Sequence, residues 1–254
     1  MNEDPRPSDP ALSLRASSPI VELRRYTLHP GQRDVLIELF DREFIESQEE
    51  LGMEVIGQFR DLDDPDAFVW LRGFSDMSAR ARGLAAFYSD GPVWAKHRDA
   101  ANATMIDSSD VLLLRPARPT SGFSLGHEER PPRGATQLPR GMLAATICHL
   151  DAPADSGFLE FFERALAPLL ADAGAPARAM FVTEESPNNF PGLPIREGEH
   201  VFVWFSRFPD RAAYERHAAA LAGSPRWAGA LASRLQRAPE VLRLSPTARS
   251  RLHG

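Results

Sequence analysis

The chain has 254 residues, 29 basic against 35 acidic, for a net charge of −6. That length holds one large or two small domains. An apolar fraction of 43% argues against wholesale disorder, and no run approaches the ~20 apolar residues that span a bilayer. One cysteine, Cys148, excludes an internal disulfide and a cysteine-based zinc cluster. Acids interrupt the basic residues, nearly all arginine, so a nucleic-acid footprint is not expected. The first residues carry no basic, apolar leader, and a cytoplasmic, reducing setting is expected.

In chain order, residues 1–18 are rich in Pro, Ser and Asp without periodicity and read as a flexible tail. Ile20–Tyr26 reads as a strand, and Pro30-Gly31 opens a helix with Leu36, Leu39, Phe40 and Phe44 on one side. Met53–Arg60 and Ala67–Arg72 read as strands joined through Asp63-Asp64-Pro65. Asp76–Phe87 is helical, and Gly91-Pro92 restarts a helix over Val93–Met105 with proline at its first turn. Val111–Leu114 closes the unit as a strand. Pro, Gly and Ser then punctuate residues 118–140, which read as a linker.

The second half repeats the first. Phe68-Val69-Trp70, Phe74 and Asp76 recur as Phe202-Val203-Trp204, Phe208 and Asp210, at a constant offset of 134. Trp94 and Trp227 are offset by 133, so one residue has been lost between the blocks. Tyr26 and Phe40 have the spacing of Cys148 and Phe162. Ordered matches with small drifts identify a duplication. The units run over 19–117 and 141–246, leaving 247–254 as a C-terminal tail.

Each unit has the order βαββαβ, a ferredoxin-like arrangement with helices on one sheet face. Phe68 and Trp70 alternate with Ala67, Val69 and Leu71, so this strand is apolar on both sides. Helices cover one side; the sister unit's sheet is the economical cover for the other. The expected fold class is α+β: two tandem units packed sheet to sheet as an α/β barrel within one chain. A monomer with this internal pseudo-dimer and a homodimer of such chains are both compatible with it.

Several segments resemble the NIPSNAP family: Arg25-Tyr26-Thr27-Leu28-His29-Pro30-Gly31, the stretch from Trp94 through His97, Arg98 and Asn102, and the Leu-Leu-Leu-Arg-Pro ending at Pro116. Asn188-Asn189-Phe190-Pro191 and Arg196 to Trp204 resemble a tandem copy of it. The resemblance implies the dimeric α/β-barrel superfamily, which includes cofactorless monooxygenases and haem-degrading oxygenases. It carries over no reaction, so the site must argue for itself.

Differences between the copies locate candidate chemistry. Trp227, Leu231 and Leu235 form an apolar stripe whose first-unit counterparts are Trp94, Arg98 and Asn102. On the first strand Glu22, Arg24 and Tyr26 share a face, whereas Ala144, Thr146 and Cys148 stand there in the second unit. The expectation is a first-unit cavity lined by Arg24, Tyr26, Trp70, Trp94, His97, Arg98 and Asn102. Arg98 would grip an anion, and His97 would act as acid or base, or as a haem ligand if haem is bound. With Tyr26 they are the candidate catalytic residues. The bland alternatives make Arg98 a surface ion pair with Glu22 or Asp99 and the tryptophans core packing.

Residues 183–199 replace a much shorter first-unit turn, and Asn188 and Asn189 are placed to reach a pocket mouth, as part of a lid or a plug. Seven histidines form no HxH or HExxH pair, and Cys148 reads as a buried apolar residue. Three functions remain: binding of a small hydrophobic or anionic molecule with no cofactor, a cofactor-independent or haem-linked monooxygenase, and a protein-interaction scaffold.

Overall fold

A computed structural model describes residues 18–125, 129–232, 234–235 and 237–254. The 1–17 part of the expected N-terminal tail lies outside the described residues. Each unit supplies four strands: β1 (Ile20–Leu28), β2 (Glu54–Asp61), β3 (Ala67–Phe74) and β4 (Met105–Pro116), then β5 (Met142–Leu150), β6 (Ala179–Thr183), β7 (His200–Phe208) and β8 (Glu240–Pro246). They close into one antiparallel barrel in the order β1-β3-β2-β8-β5-β7-β6-β4. Two short seams join the units, β2 to β8 over Phe59–Asp61 and β4 to β6 over Leu114–Pro116. The expected clasp of two sheets within one chain is therefore present.

Strand alternation sorts the side chains. Val21, Leu23, Val69, Leu71, Leu143, Ala145, Val203 and Phe205 fill the barrel interior. Their neighbours face outward beneath helices: Tyr26, Phe68, Trp70 and Phe74 in the first unit, and Cys148, Phe202 and Trp204 in the second. The cross-strand registers match as well. Glu22 opposes Arg72 and Arg24 opposes Trp70, as Ala144 opposes Ser206 and Thr146 opposes Trp204.

The first unit's helices are α1 (33–49), α2 (77–89) and α3 (Pro92–Asn102); the second unit's are α4 (156–172), α5 (Arg211–Ala222) and α6 (Pro225–Ala232). Asp76 and Asp210 cap α2 and α5 by accepting from Ala79 N and Ala213 N, at 2.6 and 2.7 Å. A five-residue π-turn interrupts α1 at Phe40–Phe44 and α4 at Phe162–Leu166, the same place in each copy. A third, Ala85–Ser89, ends α2 and has no counterpart in α5. A π-turn accommodates one extra residue, which accounts for the offset falling from 134 to 133 between Asp76 and Trp94. Gly91 follows this turn so closely that a Cβ there would strike the Phe87 carbonyl.

Two segments read as linker and tail contribute residues to the core. Phe123 of the 118–140 segment enters the barrel between Phe181 and Phe205, with ring centroids 4.8 and 4.9 Å away. Ser121 N–H and carbonyl turns tie the segment to Arg118 and Met180. In 247–254, Thr247 N donates to Gln58 O and Leu252 N to Ile56 O, and Leu252 is buried in the barrel. The physical reason is the short β2–β8 seam, which leaves an edge of β2 that these residues cover.

Candidate functional site

The outward face of the first unit carries a cluster of charges that are fully buried: Glu22, Arg24, Arg72 and Arg80, each 0% exposed. Glu22 Oε2 accepts from Arg24 Nη1 at 3.0 Å and from Arg72 Nη2 at 2.6 Å, and Oε1 accepts from Arg80 Nε at 2.8 Å. Burial alone would raise the Glu22 carboxyl, but Arg72, Arg24 and Arg80 outweigh it and hold it well below the ordinary carboxylate range. Arginine stays protonated inside proteins, so three guanidinium groups face one carboxylate. The cluster keeps an excess of two positive charges. Arg24 Nη2 has no hydrogen-bond partner among the described residues.

Beside this cluster lies a cavity of about 440 Å³. Tyr26, Gln48, Trp70 and Tyr88 form the wall between it and the arginines. Arg24 Nε donates to Tyr26 Oη at 3.0 Å; Arg72 Nη1 donates to Gln48 Oε1 at 2.8 Å and to Tyr88 Oη at 3.2 Å. Each phenol oxygen accepts from a cation, which leaves its own proton free to donate elsewhere. Burial raises the Tyr26 pKa against the pull of Arg24, so it stays a neutral donor. Phe40, Phe44, Phe87 and Trp94 supply aromatic surface, and Ser89, Asn102 and Ser108 add polar groups. The π-turns matter here: Phe40 and Phe44 belong to one, Phe87, Tyr88 and Ser89 to another.

The second unit closes part of this site. Phe190, Gly192 and Leu193 of the 183–199 loop line the cavity. Arg80 Nη1 donates to Asn188 Oδ1 at 3.1 Å and Asn189 Oδ1 at 2.7 Å, and Asn189 Nδ2 donates to Met77 O at 2.6 Å. The two asparagines therefore fasten the loop to α2 instead of lining the cavity themselves.

Of the other residues singled out in the sequence, Tyr26, Trp70, Trp94 and Asn102 line the cavity. Arg24 stands behind its wall. Arg98 does not join them: its side chain is 58% exposed, with Nε 3.6 Å from Asp99 Oδ1. It lies between Trp94 and Asn102 on α3, but a long side chain carries its charge out to water. His97 is not on the lining either; Nε2 sits 3.6 Å from Glu43 Oε2. The haem alternative relied on His97, and this lining offers no imidazole. Leu231 is outside the described side chains, whereas Leu235 packs in the second unit's helix-side core. Cys148 is buried, and its thiol is pushed up to about 12 by burial, as suits an inert core residue. Among the described residues no group of three His, Cys, Asp or Glu could hold a metal ion, and no helix is long and apolar enough to cross a membrane.

Arg72, Arg80, Gln48 and Tyr88 were missed in the sequence reading. The signal for the two arginines was available: at the offset of 134 their counterparts are Ser206 and Tyr214, a loss of charge like that from Glu22 and Arg24 to Ala144 and Thr146.

The architecture is a closed antiparallel barrel built from two ferredoxin-like units within one chain. Three solved structures share it across nearly their whole length. A protein of Fusobacterium nucleatum described as a candidate monooxygenase is 8% identical, with 91% of this chain and 93% of that one covered and a TM-score of 0.55. A candidate monooxygenase of Lactobacillus acidophilus is 14% identical, with coverages of 91% and 94% and a TM-score of 0.51. An anthrone oxidase-like protein is also 14% identical, with coverages of 94% and 98% and a TM-score of 0.55. At such identities the likeness is one of fold. Residues 21–120 match the NIPSNAP family model. No curated protein matches the sequence.

Proposed function

We propose that the protein binds a small, flat aromatic molecule bearing an anionic oxygen in the first-unit cavity. The observation that carries this reading is the excess of two buried positive charges immediately behind the Tyr26, Gln48 and Tyr88 wall. An uncompensated buried charge is costly, and an anion seated against the wall offsets that cost. The aromatic lining favours a ring, and two phenol hydroxyls provide its hydrogen bonds. Calorimetric titration with 2-naphthoate and with neutral 2-acetylnaphthalene tests it. The acid binds at least tenfold more tightly, and Tyr88→Phe erases most of that preference. Equal affinity for the two compounds rules the reading out. Mass spectrometry of co-purifying molecules then addresses the natural ligand.

A monooxygenase is the second reading, and the same hydroxyl pair supports it. Donors fixed before the reaction stabilise negative charge as it develops on a substrate oxygen. Arg24 and Arg72 each occupy an acceptor lone pair of a tyrosine, turning Tyr26 and Tyr88 into such donors. The names of the fold relatives agree with this reading without establishing it. Oxygen uptake with 1,4-dihydroxynaphthalene, above its spontaneous oxidation and diminished in Tyr88→Phe, is the expected result. Uptake that matches buffer alone rejects it.

A further inference from the structure

The second unit has its own cavity, of about 230 Å³, between α5, α6 and the outer faces of β5, β7 and β8. Its origin is visible in the duplication. Ala144, Thr146, Ser206 and Tyr214, which stand where the first unit has Glu22, Arg24, Arg72 and Arg80, all line it. Uncharged side chains stand there, and open space takes the place of the first unit's ion cluster. Among the described residues no Asp, Glu, Lys or Arg lines this cavity. Trp204, Trp227, Phe208, Leu170 and Leu221 give it an apolar wall.

One polar group on that wall is fixed in its role. His217, 7% exposed, holds Nδ1 3.0 Å from the Ala173 carbonyl, which only an Nδ1–H can satisfy. Burial lowers its pKa, so the ring is neutral near pH 7 and Nε2 is left as an acceptor. Ser206 Oγ is already committed to the carbonyls of Ala175 and Pro176.

We propose that this cavity is a second binding site with a preference opposite in charge character to the first: a small, neutral, ring-shaped molecule with one N–H or O–H, donated to His217 Nε2. A carboxylate is disfavoured because it brings a charge into a largely apolar wall and repels the imidazole lone pair, while Arg243, stacked on the Tyr214 ring, is engaged with Asp63. The size admits one ring or a fused pair.

The protein carries its own reporters, since Trp204 and Trp227 line this cavity while Trp70 and Trp94 line the other. In ¹H–¹⁵N spectra of the full chain, titration with indole is expected to shift the Trp204 and Trp227 indole N–H signals saturably. Benzofuran, which has the shape without the N–H, binds at least fivefold more weakly. Benzoate leaves those signals in place. Ala144→Leu, which fills the hollow with an apolar side chain, abolishes the indole shifts at Trp204 and Trp227. His217→Phe weakens indole binding to the benzofuran level, and His217→Gln, which keeps an acceptor, restores part of it. Circular dichroism melts confirm that each variant is folded. Absence of shifts at Trp204 and Trp227, equal affinities for indole and benzofuran, or shifts unchanged in Ala144→Leu overturns the proposal. None of these readouts depends on what the first-unit cavity binds.

Discussion

The two units share a strand order, a register and a pair of tryptophans, yet differ in what lies between sheet and helices. In the first, Glu22, Arg24, Arg72 and Arg80 are sealed under α2 and support a polar-walled cavity. In the second, small and uncharged residues occupy the same register positions and leave an apolar hollow. The scaffold tolerates both because barrel closure depends on inward residues such as Val21, Leu23, Val203 and Phe205, which the outward substitutions do not touch. Duplication thus freed one face of each sheet to diverge without loss of the core.

The sharpest way to break this comparison is to unbalance the ion cluster. Glu22→Gln leaves three buried guanidinium groups without their carboxylate and costs about 3–5 kcal/mol. Ala144→Gln, at the equivalent place, meets a hollow and costs about 1–2 kcal/mol. Urea denaturation of both variants measures the difference, and equal costs would mean the cluster is not a unit of stability.

A smaller contrast is acidic. Asp41 and Glu163 occupy equivalent positions on α1 and α4. Burial raises the Asp41 carboxyl from 3.8 to about 6, despite Arg249 and Arg130, whereas the Arg118 hydrogen bond holds Glu163 below its ordinary value. Between about pH 4 and pH 6 the folded state therefore keeps a proton on Asp41 that the unfolded chain has lost. Stability falls as pH rises through that window. Asp41→Asn should raise stability at pH 7 by about 1–2 kcal/mol, a gain that vanishes near pH 4. Glu163→Gln should give no such gain at either pH. Thermal melts across pH 4–8 check both.

Next in size is the fastening of the long loop. Asn189→Ala removes one bond to Arg80 and one to Met77 and should destabilise the closed loop by about 1 kcal/mol. Faster amide exchange over residues 185–199 with global stability nearly intact is the expected signature; unchanged exchange would mean that Phe190 and Leu193 hold the loop alone. The smallest effect belongs to Arg98→Ala, within about 0.5 kcal/mol in stability and without change in ligand affinity, as for an exposed side chain. A large loss of affinity would return Arg98 to the site.

Much of this was legible along the chain. Tyr26 and Asn102 were found because comparing two copies of one sequence exposes the positions where periodicity is kept and chemistry is not, and Trp94 because it shares the helix stripe of Asn102. The same comparison over-read His97 and Arg98. Helical spacing gives the stripe a residue belongs to, but it does not give how far a long side chain travels from it. Phe190 and Leu193 belong to the other unit, and no local pattern connects them to a cavity 100 residues earlier in the chain. Phe123 and Leu252 were hidden for a related reason: segments without periodicity read as linker and tail, yet they are buried wherever the barrel leaves an open end or an unpaired edge.

The sequence by itself determined the duplication, the βαββαβ order and the closure of two sheets on each other, because alternation and repeat spacing are local properties that survive in one dimension. Tertiary structure decided which polar residues became a site. Burial and charge compensation are sums over neighbours brought from distant parts of the chain. Only the folded barrel sets Arg24, Arg72 and Arg80 around the single carboxylate of Glu22 and lines the second unit's equivalent space, among the described residues, with uncharged side chains.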